Sequence, residues 1–165
     1  MSALSTVTVN VSRMGAEEFP SFIEQMTSTG ADVVFVQEAD NLPHDILCKG
    51  YVVFKTEGVG RTMILLRGSL SSFVTFSILE ATYTIIIFDK IVLASVYLPN
   101  SSYSDEVFAA SVLAFQRSVV SCFAKGAKCV IGGGDLNFKC APNIKHYSGE
   151  CCVPQISLEI SQYAL

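Results

Sequence analysis

Asp32-Val33-Val34-Phe35-Val36-Gln37-Glu38 is the stretch on which the fold turns. From Asp32 the chain runs through β-branched and aromatic residues without alternation, the pattern of a short strand buried on both faces. The strand delivers Gln37 and Glu38 at its C-terminal end. Upstream, residues 15–29 set Phe19, Phe22, Ile23 and Met26 at helical spacing, with Glu17, Glu18 and Glu24 on other faces and Gly30 as a stop. Before that helix, Thr6-Val7-Thr8-Val9-Asn10-Val11 alternates as a first strand.

Downstream, residues 51–55, 62–67, 72–79, 82–88 and 91–97 are five strand-like segments divided by polar or glycine-containing turns, which predicts antiparallel hairpins. A second helix is expected over 105–124, where Val107, Phe108, Val112, Leu113, Phe115, Val119, Val120 and Phe123 form a broad apolar face closed by Lys125-Gly126. Residues 128–131 read as another buried strand, ending in Gly132-Gly133-Gly134-Asp135-Leu136-Asn137. This order predicts an α/β fold, a layered sandwich of two mainly antiparallel mixed sheets flanked by helices. Residues 138–165 are weakly patterned, and Val153, Ile156, Leu158 and Ile160 suggest one further short strand.

Composition narrows the class. With 165 residues, half of them hydrophobic and 16% charged, the chain can bury a sizeable core, and residues 1–165 are expected to form a single domain. Basic runs, Gly/Ser linkers and repeats are absent, which argues against a disordered tail and a solenoid. The apolar run Thr84 to Phe88 is interrupted by Asp89 and Lys90 before Ile91, so no membrane-crossing segment and no membrane partner are expected. The N-terminus lacks the basic flank and apolar stretch of a secretory signal. Six cysteines without a C-x-x-C pair then read as free thiols in a reducing compartment, cytoplasmic or nuclear. A zinc site from Cys140, His146, Cys151 and Cys152 is the weaker alternative, because the spacing fits no common finger. A net charge of -4 argues against tight non-specific binding to nucleic acid without excluding a nuclease.

Three strands end in polar residues: Asn10, Gln37-Glu38, and Asp135 with Asn137. Ligands of open α/β sheets sit beyond strand ends, where groups distant in sequence converge. Carboxylates with amides suit Mg²⁺ or Mn²⁺, hard ions that take oxygen ligands, and Glu38 is the first metal-ligand candidate; a helix cap or solvated turn explains it equally well. The glycines before Asp135-Leu136-Asn137 permit close backbone approach to a ligand. If the chain stays extended, Asp135 and Asn137 point the same way, the carboxylate orienting a water and the amide holding a phosphate oxygen; the competing reading is an Asx turn. The glycines lack the third position of a dinucleotide loop and the Gly-Lys-Ser/Thr of a P-loop. Tyr97 and Asn100, in Tyr97-Leu98-Pro99-Asn100, are able to donate to phosphate, although alone they describe an ordinary strand exit.

In order, Val9-Asn10-Val11, Phe35-Val36-Gln37-Glu38, Val96-Tyr97-Leu98-Pro99-Asn100 and Gly134-Asp135-Leu136-Asn137 resemble the successive motifs of the endonuclease/exonuclease/phosphatase superfamily, nearest to apurinic endonucleases and the endonuclease domains of non-LTR retrotransposons. Gly60-Arg61-Thr62-Met63-Ile64-Leu65-Leu66-Arg67 resembles the family strand between the glutamate and tyrosine motifs. The resemblance implies metal-assisted phosphodiester hydrolysis. Asn10 and Glu38 would lie at the metal, Tyr97 and Asn100 near the scissile phosphate, with Asp135 orienting water and Asn137 as its partner. It also implies nucleic acid as partner, DNA ahead of RNA, or a phosphate ester. A phosphatase acting on inositol phosphates or nucleotides shares the same motifs.

Two departures accompany the resemblance. Ser12 stands where many members carry an acid, and the family's late Ser-Asp-His type motif has no counterpart in these 165 residues. His146, in Lys145-His146-Tyr147, and His44 read as loop residues. The expectation is therefore a second half that is incomplete, an exposed sheet edge able to pair with another chain, and little or no nuclease activity. On that expectation the fold persists as a binding module or an inactive remnant.

Overall fold

A computed structural model describes residues 4–28, 30–100 and 102–137. They form two four-stranded sheets, each with a helix against its outer face. The first sheet has the order β1-β2-β4-β3 and comprises β1 (Thr6–Asn10), β2 (Val33–Gln37), β3 (Tyr51–Lys55) and β4 (Thr62–Arg67). The second runs β5-β6-β7-β8, comprising β5 (Val74–Leu79), β6 (Tyr83–Phe88), β7 (Ile91–Tyr97) and β8 (Cys129–Asp135). Each sheet is mixed: β1 is parallel to β2 and β7 to β8, and the other neighbours are antiparallel. The two parallel pairs are joined by helices, α1 (Phe19–Thr27) and α2 (Asp105–Ala124), as a parallel crossover requires.

Alternation sorts the side chains into three apolar layers. Val34, Val36, Met63 and Leu65 face α1 with Phe19 and Ile23; Val92, Ala94 and Val96 face α2 with Val119 and Cys122. Val33, Phe35, Ile64, Leu66, Ile86, Phe88 and Leu93 meet between the sheets. Burying each such large side chain contributes roughly 1.5–3 kcal/mol.

The elements expected within the described residues are present, with boundary differences that have local causes. α1 begins at Phe19 rather than at residue 15, with Pro20 in the first turn, where its missing amide loses no bond. α2 is capped by the Ser104 hydroxyl, which accepts from the Val107 amide at 3.4 Å, and Asp105 and Glu106 oppose the positive end of the helix dipole. Residues 68–73 form a 3-10 turn instead of an early start to β5, and it carries the chain from one sheet to the other. Strands β4 and β5 therefore do not pair.

β8 differs most from expectation, because Gly132, Gly133 and Gly134 lie inside the strand. A Cβ on Gly133 would sit 2.8 Å from Thr8 Oγ1 and 2.9 Å from the Phe35 ring, and one on Gly134 would collide with the Val96 carbonyl oxygen. The triplet is what lets β8 lie against both β7 and the first sheet.

α2 is also the described helix that is long and apolar enough to cross a membrane by length and composition. The apolar runs that the sequence sets against a membrane span, Thr84 to Phe88 and Ile91 onward, belong to β6 and β7, whereas the length and apolarity lie in the helix expected over 105–124. One face of α2, including Phe108, Val112, Phe115 and Val119, packs on the second sheet. Cys48, Cys122 and Cys129 are free thiols, and burial pushes Cys48 up to about 11 and Cys122 upward. The alternative zinc ligands Cys140, His146, Cys151 and Cys152 lie outside the described residues, as does the suggested strand near Val153.

Candidate active site at the mouth of the sandwich

The two parallel pairs deliver their C-terminal ends to the same end of the sandwich. Asn10 is the register partner of Gln37, and Tyr97 of Asp135. The sheets are locked in this direction because Gln37 Nε2 donates to Ser95 Oγ at 3.1 Å and Ser95 Oγ donates to the Val36 carbonyl at 2.8 Å. Two residues beyond Ser95 lies Tyr97; one beyond Gln37 lies Glu38. Asn10, Glu38, Tyr97 and Asp135 thus all lie at the same end, the mouth of the sandwich.

Beneath the mouth is a buried polar layer. Gln37 and Thr62 are neighbours in one sheet and Thr84 and Ser95 in the other, and all four are 3% exposed or less. Gln37–Ser95 is one bridge between the sheets; the other is Thr62 Oγ1 to Thr84 Oγ1 at 3.0 Å, with Thr84 Oγ1 donating to the Thr62 carbonyl at 3.1 Å. Thr8 Oγ1 donates to Gln37 Oε1 at 3.2 Å. Fully paired polar groups at this depth fix the separation and register of the sheets, since any slip strands buried donors.

Glu38 is held on its strand end with φ +54, a left-handed conformation uncommon for a residue with a side chain. The Ala39 amide donates to the Arg61 carbonyl at 3.0 Å and secures the turn. Asn10 Nδ2 donates to Glu38 Oε1 at 2.9 Å, while Asn10 Oδ1 accepts from the Ser12 amide at 3.0 Å. Hydrogen bonds from the Asn10 and Ser12 side chains, then the charges of Arg61 and Arg13, outweigh partial desolvation and hold the Glu38 carboxyl below its usual range. Glu38 is thus ionised at neutral pH. No group of three or more His, Cys, Asp or Glu side chains gathers among the described residues. One ionised carboxylate beside amide and hydroxyl oxygens fits a hard divalent ion that keeps most of its waters.

Asp135 and Asn137 are arranged differently from the extended pair that the sequence spacing allowed. Asn137 adopts φ +45, its amide donates to Asp135 Oδ1 at 3.1 Å, and its Nδ2 donates to the Leu98 carbonyl at 2.7 Å. This is the Asx turn of the competing reading, and it ties the Asp135 segment to the exit of β7, where the Leu98 amide donates to the Asp135 carbonyl at 2.9 Å. Asn100 is likewise engaged locally, its Oδ1 accepting from the Ser102 amide at 3.0 Å and hydroxyl at 2.6 Å ahead of α2. The guanidinium carbon of Arg61 lies 5.0 Å from the centroid of the Tyr97 ring.

Sequence reading did not single out Arg61, Thr62, Thr84 or Ser95. Their signal is a polar residue inside or just ahead of an otherwise apolar strand, which becomes informative only once the opposing sheet is known. A concavity of ≈ 550 Å³ lies at the other end of β3, lined by residues such as His44, Cys48 and Tyr51, and its lining includes none of the mouth residues.

This architecture is the endonuclease/exonuclease/phosphatase type of fold. The chain is similar to the endonuclease domain of TRAS1, a telomere-specific non-LTR retrotransposon, at TM-score 0.53 and 20% identity, covering 81% of this chain and 59% of that one. It is similar also to truncated Caenorhabditis elegans TDP2, at TM-score 0.52 and 16% identity over 82% of this chain and 61% of the other. D. rerio TDP2 complexed with a single-strand DNA product gives TM-score 0.52 and 19% identity, covering 84% and 62%. The chain therefore spans about three fifths of the length of these structures. No family model matches the sequence, and no curated protein does.

Proposed function

We propose that the chain is a DNA-directed, divalent-cation-dependent phosphodiesterase-type domain. The observation that carries this reading is the convergence of Asn10, an ionised Glu38, Tyr97 and Asp135 from four strands onto one mouth. Glu38 would hold Mg²⁺ or Mn²⁺ with Asn10 beside it. When bound, such an ion polarises a phosphoryl group and offsets the charge that develops on it. Tyr97 and Asn100 would orient the phosphate, and Asp135, steadied by Asn137, would hold a water and draw its proton. DNA is favoured over a small phosphate ester because one similar structure is an endonuclease domain and another is a complex with a single-strand DNA product.

The test has two arms. Calorimetric titration with Mg²⁺ and Mn²⁺ should show weak binding that Glu38→Gln abolishes, and equal binding by both proteins would place the ion elsewhere. Supercoiled plasmid and an abasic duplex then report turnover, with Asp135→Ala as control. Cleavage lost in that variant supports hydrolysis; DNA binding without cleavage would leave a binding module of the same fold.

A further inference from the structure

Arg61 immediately precedes β4 and is anchored on both sides through its backbone. Its amide donates to the Ala81 carbonyl at 2.8 Å, and its carbonyl accepts from Ala39 at 3.0 Å. These bonds place it between the turn after Glu38 and the turn before β6. Its side chain lies against the Tyr97 ring, and its charge reaches Glu38, yet the two form no ion pair; among the described residues the ion pair is Arg67 with Asp32. Also among the described residues, no hydrogen bond is made by the Arg61 guanidinium.

A guanidinium carries five N–H donors in a planar fork, and lying against an aromatic ring occupies its face while leaving its edge unspent. Glu38 accepts from Asn10 and forms no ion pair with Arg61, so in this arrangement the carboxylate does not consume those donors. An oriented cation whose donors are unspent among the described residues, beside a carboxylate suited to a divalent ion, matches an oxyanion shared between two positive groups. Phosphate has that chemistry, with oxygens enough for both.

We propose that Arg61 is a phosphate-binding residue of this site, presenting the edge of its guanidinium to a non-bridging oxygen of the DNA backbone while Tyr97 holds its face. The assignment deepens the function proposed above and rests on it. Arg61 thereby adds a contact made by this chain's own side chain, one that does not pass through the metal and persists when the metal is removed.

The test is fluorescence anisotropy with a labelled single-stranded oligonucleotide over a salt series, in EDTA and again with Mg²⁺, for the wild type, Arg61→Ala and Arg61→Lys. Arg61→Ala should bind roughly tenfold more weakly at low salt. The slope of log K against log salt should fall in magnitude by about 0.7, the loss of one phosphate contact on a single strand. Arg61→Lys should keep the wild-type slope and recover only part of the affinity, because an ammonium lacks the fork and the stacking face. A purely structural role for Arg61 would leave the slope unchanged. Normal wild-type binding with an unaltered slope in Arg61→Ala would overturn this assignment alone; no DNA binding by the wild type would overturn it together with the DNA reading.

Discussion

The two ends of the inter-sheet layer are built from opposite materials. Away from the mouth the sheets meet through Val33, Phe35, Leu66, Phe88 and Leu93, and at the mouth through Gln37, Thr62, Thr84 and Ser95. Apolar contact is non-directional and tolerates small shifts. A hydrogen-bonded layer tolerates none without leaving a buried group unpaired. The apolar end therefore supplies most of the adhesion between the sheets, while the polar end sets their register where geometry matters for chemistry.

Substitutions can break this division, beginning with the largest effect. Phe35→Ala should destabilise by about 3–5 kcal/mol, since a large inter-sheet side chain is lost and a cavity remains. Urea denaturation measures it, and a loss under about 1 kcal/mol would mean that the apolar end is not the main adhesive.

Ser95→Ala should destabilise by about 1–3 kcal/mol, the penalty of leaving the buried Gln37 amide without the serine hydroxyl that accepts from it. Gln37→Leu with Ser95→Ala should be less harmful than the sum of the single changes, because the second removes a group already stranded. Additive effects would show that the two side chains do not act as a unit.

The smallest effect contrasts a paired with an unpaired polar group at the same end. Lys55 closes β3 on the α1 face of its sheet, 4% exposed, and its Nζ has no hydrogen-bond partner among the described residues. Burial pulls its ionisation below the usual 10.5, against the opposing charge of Asp40. Because the folded value is depressed, the unfolded chain binds more protons over the window below 10.5, and stability contributed by this group rises as pH climbs through it. Lys55→Met should stabilise by about 1 kcal/mol at neutral pH, the gain shrinking as pH approaches 10.5. A gain independent of pH would assign the effect to packing alone.

Much of this was legible in the sequence. The unalternated run at Val33 to Val36 and the alternation at Thr6 to Asn10 specify strands with different burial, and strand ends marked the mouth residues. What was not legible depends on the opposite sheet. Gly132, Gly133 and Gly134 read as a loop because glycine is a weak strand former in isolation; they are strand because Thr8, Phe35 and Val96 leave no room for a Cβ. Arg61 and Ser95 escaped notice for the same reason, since each takes its meaning from a partner far along the chain. At Asp135 and Asn137 spacing allowed two geometries, and local hydrogen bonding selected the turn.

The 3-10 turn at Gly68–Phe73 divides the chain by sheet: every described strand before it belongs to the first and every one after it to the second. Each half can bury its own helix-facing core, but the mouth exists only when the halves are docked, with Asn10 and Glu38 from one meeting Tyr97 and Asp135 from the other. A ligand of the mouth is then a ligand of the docked state. At a concentration 100 times its Kd it would stabilise docking by about 2.7 kcal/mol, so binding and assembly report on the same equilibrium.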